Sequence, residues 1–439
     1  MTDTIFALAT AAGAAPLAVV RVSGSRAGES LMALTDRPLP PPRQAVRRTL
    51  RADGEVLDQA LCLWFAPPAS YTGEGLAEFH IHGSQAVIEA VCAALTSYAR
   101  AAEPGEFTRR AVLNGKMTLT QAEGLADLIT TESAGQRRLA LSQLHPASTA
   151  AYQAWSETLT GLLAQAEAVL DFPDDEVVLL TGVMADRLDR LRDQIEAFLA
   201  HSIDGERWRA PLTAAVLGAP NVGKSSLVNR LAARPVAIIS DQPGTTRDSL
   251  EARLDIAGYP VRLIDTAGLR DTDQPIERAG VARARQWQAD SDLRLWVYSA
   301  DQPPPSSAAT ARLKQSQGTD LFIVNKIDIA AAGSLAAWPE GFIEVSAYTG
   351  AGLKELTRAL DRIITRAAPL AGTAVIARAR HRAALTRTCE HLAAAKAAVD
   401  AVLCAEELRA ANRAMGHMTG QVDIEAVLDE VFASFCIGK

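Results

Sequence analysis

Apolar positions recur along this chain with two different periods, and the changes of period divide it. Leu17-Ala18-Val19-Val20-Arg21-Val22 and Leu61-Cys62-Leu63-Trp64-Phe65 predict strands, with the Pro-rich stretch Pro38 to Pro42 as a connection. From Thr120 to about Ala200 the spacing becomes helical. Leu159, Leu162, Leu163, Ala166 and Leu170 form one stripe, and Met184, Leu188, Leu191, Ile195 and Leu199 another; Thr120 and Glu123 read as a capping-box pair. Short, mostly apolar runs follow at Leu212 to Leu217, Val261 to Ile264, Leu321 to Val324 and Phe342 to Val345, and these read as the strands of an α/β unit. Helical spacing then resumes with Leu385, Cys389, Leu392, Val399 and Leu403 on one face, interrupted at Lys396, so Cys389 is expected in a core. The expected fold is multidomain α/β and α+β. An α+β domain occupies 1–118, a helical domain is split into 119–210 and 369–439, and an α/β domain at 211–368 is inserted into it. Insertion suits a switch, because motion is delivered through two linkers at once.

The inserted unit carries the chemistry. Its first strand runs into Gly218-Ala219-Pro220-Asn221-Val222-Gly223-Lys224-Ser225, which matches G-x-x-x-x-G-K-[ST] at a strand-to-helix turn where backbone N–H groups converge on phosphate. Lys224 supplies a point charge for the β- and γ-phosphates, Ser225 a hydroxyl for Mg²⁺, and Asn221, Val222, Gly223 and Ser226 complete the loop. The strand at Val261 delivers Asp265-Thr266-Ala267-Gly268, whose Asp is placed to hold Mg²⁺ through water and whose Gly can bond the γ-phosphate. The strand at Leu321 delivers Asn325-Lys326-Ile327-Asp328; the Asp carboxylate can accept from guanine N1–H and N2–H₂, which adenine does not offer. Ser346-Ala347 is similar to the last guanine-contact element of the GTPase superfamily, and Gly244-Thr245-Thr246-Arg247-Asp248 supplies a switch threonine, Thr246, for Mg²⁺. Five elements in this order predict a P-loop, Ras-like GTPase domain binding GTP.

The position after the sensor glycine is Leu269, which cannot polarise water, so hydrolysis needs another group. The Asn221 amide is a candidate monovalent-cation ligand, with carbonyls of Ser240, Gln242 and Thr245 completing a K⁺ cage, and Glu277 is a candidate to orient water. On residue chemistry alone an ordinary loop-stabilising amide and a solvated loop carboxylate are equally good readings of Asn221 and Glu277.

With 439 residues and 48% hydrophobic content the chain is long enough for two or three packed domains. It has no apolar run of about 18 residues and no basic-then-apolar start, so no membrane span or signal peptide is expected. Five scattered cysteines show neither a disulfide framework nor metal spacing, and a cytoplasmic location is expected. A net charge of −7 argues against a chain coated for nonspecific nucleic-acid binding, although the basic stretch Arg43-Gln44-Ala45-Val46-Arg47-Arg48 stands out.

Tyr71-Thr72-Gly73-Glu74, Pro104-Gly105-Glu106-Phe107-Thr108, Leu113-Asn114-Gly115-Lys116 through Gln121-Ala122-Glu123, Gly244 to Asp248, and the terminal Phe435-Cys436-Ile437-Gly438-Lys439 resemble the tRNA-modification GTPase family MnmE (TrmE), over essentially the whole chain. The resemblance implies a homodimer that works with an FAD-dependent, MnmG-type partner in a heterotetramer. It implies addition of a carboxymethylaminomethyl or aminomethyl-type group at C5 of the wobble uridine of tRNA. It also implies that the N-terminal domain binds 5-formyl- or 5,10-methylene-tetrahydrofolate through positions matching Arg21, Glu78, Lys116 and Lys439. The family's K⁺ ligands match Asn221, Ser240, Gln242 and Thr245, and its water-positioning glutamate matches Glu277. The Cys436 thiol can be read as adding to C6 of uracil or as anchoring the terminus; lipidation does not fit Cys-Ile-Gly-Lys. One segment departs from the family: Ala12-Gly13-Ala14-Ala15-Pro16 stands where Pro-x-Arg-Gly-Gly is usual. The competing function is a ribosome-assembly-type GTPase switch without RNA chemistry, which would be expected to carry a basic RNA-binding module.

Overall fold

The structure, a computed structural model, describes residues 3–11, 13–171, 182–233, 251–265, 291–305, 318–331, 333–368, 375–376, 378–419 and 438. The N-terminal part runs β1 (Ile5–Leu8), β2 (Ala15–Ser23), α1 (Ala27–Thr35), β3 (Val46–Ala52), β4 (Glu55–Phe65), β5 (Leu76–Gly83), α2 (Gln85–Leu95), β6 (Arg100–Ala101) and α3 (Glu106–Leu113). Its strands form a six-stranded sheet in the order β3-β4-β5-β2-β1-β6, with β3 at one edge. Period-two alternation sends Val20, Val22, Cys62, Phe79 and Ile81 to one face, where Leu31 and Leu34 of α1 and Val91 and Leu95 of α2 cover them. The alternate residues, Arg21 and Glu78 among them, are therefore left to the opposite face.

Four helices follow: α4 (Leu119–Thr130), α5 (Ala134–Leu144), α6 (Pro146–Asp171) and α7 (Gly182–His201). The start of α4 corrects the expected cap. Thr118 and Gln121 form the reciprocal box, Gln121 N–H donating to Thr118 Oγ1 at 3.2 Å and Thr118 N–H donating to Gln121 Oε1 at 2.9 Å. Thr120 and Glu123 lie inside the helix and are buried. Two overlapping Thr-x-x-acceptor patterns compete here, and the later one loses because Glu123 has tertiary partners.

The inserted part contains β7 (Ile203–Asp204), α8 (Glu206–Arg209), β8 (Leu212–Leu217), α9 (Lys224–Ala232), β9 (Glu251–Ile256), β10 (Tyr259–Asp265), β11 (Leu293–Ser299), β12 (Asp320–Asn325), β13 (Phe342–Glu344), α10 (Leu353–Ala367) and β14 (Val375–Ile376). The main sheet is ordered β13-β12-β11-β8-β10-β9, parallel except for the antiparallel edge strand β9. Alternation of buried and exposed positions is absent from β8, whose Ala214, Ala215 and Val216 are all buried, as a central strand covered on both faces requires.

The chain ends in α11 (Ala379–Ala397) and α12 (Ala401–Thr419). The predicted stripe holds through Leu385, Cys389 and Leu392, which are buried, and fails beyond them: Val399 is 88% and Leu403 49% exposed. Helix α11 ends at Ala397, and a helical stripe does not keep its phase through the turn that follows. Residues divide into two compact units, one of 1–129, 141–201 and 380–439 and the other of 130–140 and 202–379.

Candidate functional site

In the inserted unit the strand order reverses at β8. The next parallel strand, β10, lies on one side of it and β11 and β12 on the other, so the carboxyl end of β8 is the topological switch point where an open α/β sheet forms its crevice. Gly218 to Ser225 begins there, and α9 starts at Lys224. Two glycines are required by space and by backbone. Gly218 has φ +150°, and a Cβ on it would lie 2.2 Å from the Val297 carbonyl oxygen; Gly223 has φ +92°, and its Cβ would lie 2.3 Å from Asn325 Nδ2. Asn221 also takes a left-handed φ of 63°, a conformation asparagine tolerates. The result is a loop of backbone at a helix N-terminus whose two glycines leave no room for a Cβ, which fits phosphate. Lys224 is buried along its stem, with Nζ donating to the Gly218 and Ala219 carbonyls at 2.9 and 2.8 Å.

Asn325 locks the base-reading corner to this loop. It is buried, its Nδ2 donates to the Val222 carbonyl at 2.9 Å, and its Oδ1 accepts from Ala347 N–H at 3.0 Å. Ser346 Oγ in turn donates to Asp328 Oδ1 at 2.5 Å and accepts from Thr349 N–H at 3.0 Å. Asp328 is exposed, as a carboxylate must be to meet a base. Thus Asn221 to Ser226, Asn325, Lys326, Asp328, Ser346 and Ala347 all follow the carboxyl ends of β8, β12 and β13, at one end of the sheet. Sequence reasoning missed Asp301, whose Oδ2 lies 3.6 Å from Lys326 Nζ. The neighbouring Ser299 hydroxyl and the Lys326 charge hold its carboxyl below the usual range. Its position just past the carboxyl end of β11 was the available signal. Asp265 closes β10, paired in register with Val216 at the end of β8. Ser240, Gln242, Thr245, Thr246, Thr266, Ala267, Gly268 and Glu277 lie outside the described residues, as do Cys436 and Lys439.

On the N-terminal sheet, register opposes Arg21 of β2 to Glu78 of β5, and Arg21 Nε donates to Glu78 Oε1 at 3.0 Å. The guanidinium sits 5.4 Å from the Tyr71 ring centroid and 5.8 Å from that of Phe107. His80, which the sequence did not single out, brings Nε2 to 3.3 Å from Glu78 Oε2. Tyr71 shares a 2.8 Å hydrogen bond with Thr108, and burial raises its phenol pKa against the opposing effects of Thr108 and Arg21. Lys116 donates to the Pro68 carbonyl at 2.9 Å while its stem packs beside Gly73. Beneath them lies a buried charge network. Arg110 donates to Glu74, Glu106 and Asp3, and Glu74 also accepts from Ser23, whose hydroxyl meets Thr72. The two motif segments at Tyr71 and Pro104 are thereby tied to each other and to β2. Gly438 reaches this domain too, with φ +96° and so close to Leu8 that a Cβ would fall 2.2 Å from its carbonyl oxygen. The departure at 12–16 leaves β2 intact from Ala15, where the register shifts before Ala18. Cys62 and Cys389 are buried, and burial pushes their thiols up to about 12 and about 11, the pKa values of core residues and not of nucleophiles.

A parallel sheet whose switch point carries G-x-x-x-x-G-K-S at a helix N-terminus, with Asn-Lys-x-Asp and Ser-Ala at neighbouring strand ends, is a P-loop domain of the GTPase type. The family description "GTP-binding protein TrmE N-terminus" matches residues 4–116, and "MnmE helical domain" matches 119–436. A tRNA modification GTPase MnmE of Paramagnetospirillum magneticum is 44% identical over 100% of both chains. One of Parvibaculum lavamentivorans is 46% identical, again over 100% of both. Among solved structures, the G domain of the T. maritima FeoB iron transporter is 26% identical over 35% of this chain and 99% of its own, with a TM-score of 0.25. The chain belongs to the tRNA modification GTPase MnmE family.

Proposed function

We propose that this chain is a GTP hydrolase whose cycle drives modification of tRNA at C5 of the wobble uridine. The observation that carries the GTPase reading is the bridge made by Asn325, which fixes the base-reading Asp328 corner to the phosphate loop. Guanine selection is assigned to Asp328, and phosphate binding to the loop N–H groups and Lys224, which exchanges its two carbonyl partners for phosphate oxygens. Mg²⁺ would be held by Ser225 and Thr246, with Asp265 acting through water, and it would offset charge on the phosphates during transfer. Asn221, with backbone of Ser240, Gln242 and Thr245, is assigned to K⁺, and Glu277 to orienting the attacking water in place of Leu269. Thr266, Ala267 and Gly268 would sense the γ-phosphate.

The N-terminal face is assigned to a tetrahydrofolate one-carbon donor. An aromatic-flanked guanidinium paired with a carboxylate fits a planar heterocycle bearing hydrogen-bonding edges, and Arg21, Glu78, Lys116 and Lys439 would hold it. Cys436 is assigned to the same locale, to which Gly438 of the tail is packed. The working assembly is a homodimer with an FAD-dependent partner, and the four-part division at 118, 210 and 368 describes its domains. Among the described residues no helix is long and apolar enough to cross a membrane. Nucleoside analysis of tRNA from a deletion strain, with and without the restored gene, tests the reading. Loss of a C5-modified wobble uridine and its return are expected; unchanged nucleosides would overturn it.

A further inference from the structure

The edge strand β3 and its approach carry a charge pattern that nothing in the GTPase or folate assignments uses. From residue 37 to 52 the chain has five arginines, Arg37, Arg43, Arg47, Arg48 and Arg51, and no Asp or Glu, within a protein of net charge −7. Arg37, Arg43, Arg47 and Arg51 are exposed and Arg48 is half-buried. Among the described residues no carboxylate forms an ion pair with any of the five. Instead, neutral acceptors steer two of them. Arg43 Nη2 donates to the Ala69 carbonyl at 2.9 Å, and Arg47 Nη2 donates to the Gln59 side-chain oxygen. Arg43 also holds a left-handed φ of 62°, costly for a residue with a Cβ, and its N–H is fixed on the Trp64 carbonyl at 2.8 Å.

Among the described residues β3 pairs only with β4, at the end of the strand order. The register shift opposite Leu50 and Arg51 places the extra residue, Leu57, on β4, so β3 keeps its alternation and Arg47 and Arg51 share a face. Arg47 and Arg51 are therefore spaced roughly 13 Å apart along the strand, with guanidinium groups that keep their charge.

We infer that this strand is a binding site for the phosphodiester backbone of a structured RNA. Three physical points favour it over an acidic protein surface. Guanidinium forks match phosphate oxygens in a bidentate manner. An overall acidic chain repels a polyanion unless it gathers its cations in one place. Neutral carbonyl tethers orient the forks without neutralising them. The inference rests on the tRNA reading above and adds to it the surface that receives the molecule.

The test is a titration of the full-length chain with unmodified tRNA transcript across a salt series, comparing wild type with the triple variant Arg43→Gln, Arg47→Gln, Arg51→Gln. All three side chains are exposed, so the fold and GTP hydrolysis should be retained. An affinity loss of about tenfold or more near 0.1 M salt is expected, with the slope of log affinity against log salt shallower by about two units. The corresponding Lys variant should keep the slope and lose part of the affinity. Unchanged affinity and slope would overturn the inference. So would unchanged tRNA affinity with new self-association, which would make the arginines guards of the sheet edge, or loss of binding to an acidic protein alone. If the wild-type chain restores the wobble modification while the Gln variant binds tRNA normally, the strand assignment fails and the functional reading stands. If the wild type restores nothing, that reading fails and the titration still decides the strand.

Discussion

Arg380 donates from Nε to Oε1 of Glu123 at 2.8 Å, joining positions 257 residues apart, and Glu123 is fully buried. His381 Nε2 lies 2.9 Å from the other carboxylate oxygen, and Arg380 also reaches the His417 carbonyl near the end of α12. One carboxylate thus binds the first helix after the N-terminal domain to the helix at which the chain returns from its insertion. Removing it leaves a half-buried guanidinium without that counter-charge and a buried imidazole without that polar partner. Glu123→Ala is expected to cost about 3–5 kcal/mol in chemical denaturation, with Glu123→Gln costing less. A midpoint within error of wild type in both variants would mean that the cluster is not what joins these segments.

The Glu106 carboxyl offers a pH-dependent test of the N-terminal network. Burial pushes its pKa up, but hydrogen bonds from Arg100, the Glu103 N–H and Arg110 outweigh burial and hold it below the usual glutamate range. A lowered folded-state pKa means that the contribution is complete above the unfolded value, near 4.3, and disappears as pH falls through the folded one. Stability should therefore drop on acidification below about pH 4. Glu106→Gln should flatten that limb while being less stable at neutral pH, a difference read from denaturation curves at a series of pH values.

Asn325 is 1% exposed and makes both amide hydrogen bonds across the site. Asn325→Ala leaves the Ala347 N–H and Val222 carbonyl without those partners, and GTP affinity is expected to fall about 10–100-fold. Asp328→Asn acts differently, replacing a double acceptor for guanine by a group that also donates. Loss of GTP over ATP preference by roughly 2–4 kcal/mol is expected, and competition titration of the two nucleotides checks it.

If Asn221 belongs to a K⁺ site, hydrolysis should be much faster in KCl than in NaCl at equal ionic strength, and Asn221→Ala should remove the difference. Equal rates in both salts for the wild type would return Asn221 to the role of a left-handed loop residue.

Glu277→Ala should reduce single-turnover hydrolysis by about 10²-fold or more while the GTP dissociation constant moves less than about threefold. Stopped-flow binding beside single-turnover assays separates the cases. Near-normal turnover would make it a solvated carboxylate, and lost binding a structural residue.

The sequence by itself determined four strands of the inserted domain, β8, β10, β12 and β13, and the motif residues at their ends, but neither β9 nor β11. Phosphate and guanine recognition depend on short contiguous motifs whose backbone needs, such as Gly218 and Gly223, are written locally. It also determined most helical faces, because a stripe like Leu159, Leu162 and Ala166 follows from a fixed period. Tertiary structure decided whatever depends on a distant partner. Thr118 and Gln121, not Thr120 and Glu123, cap α4 because Glu123 is taken by Arg380 and His381. Val399 left its stripe because a turn broke the phase. Asp301 and His80 became visible only when strand order set them beside Lys326 and Glu78. The arginines of β3 were legible as a basic run, but their place on the end strand of the sheet, with no acidic partner among the described residues, came from the pairing of strands, a long-range property that no local window contains.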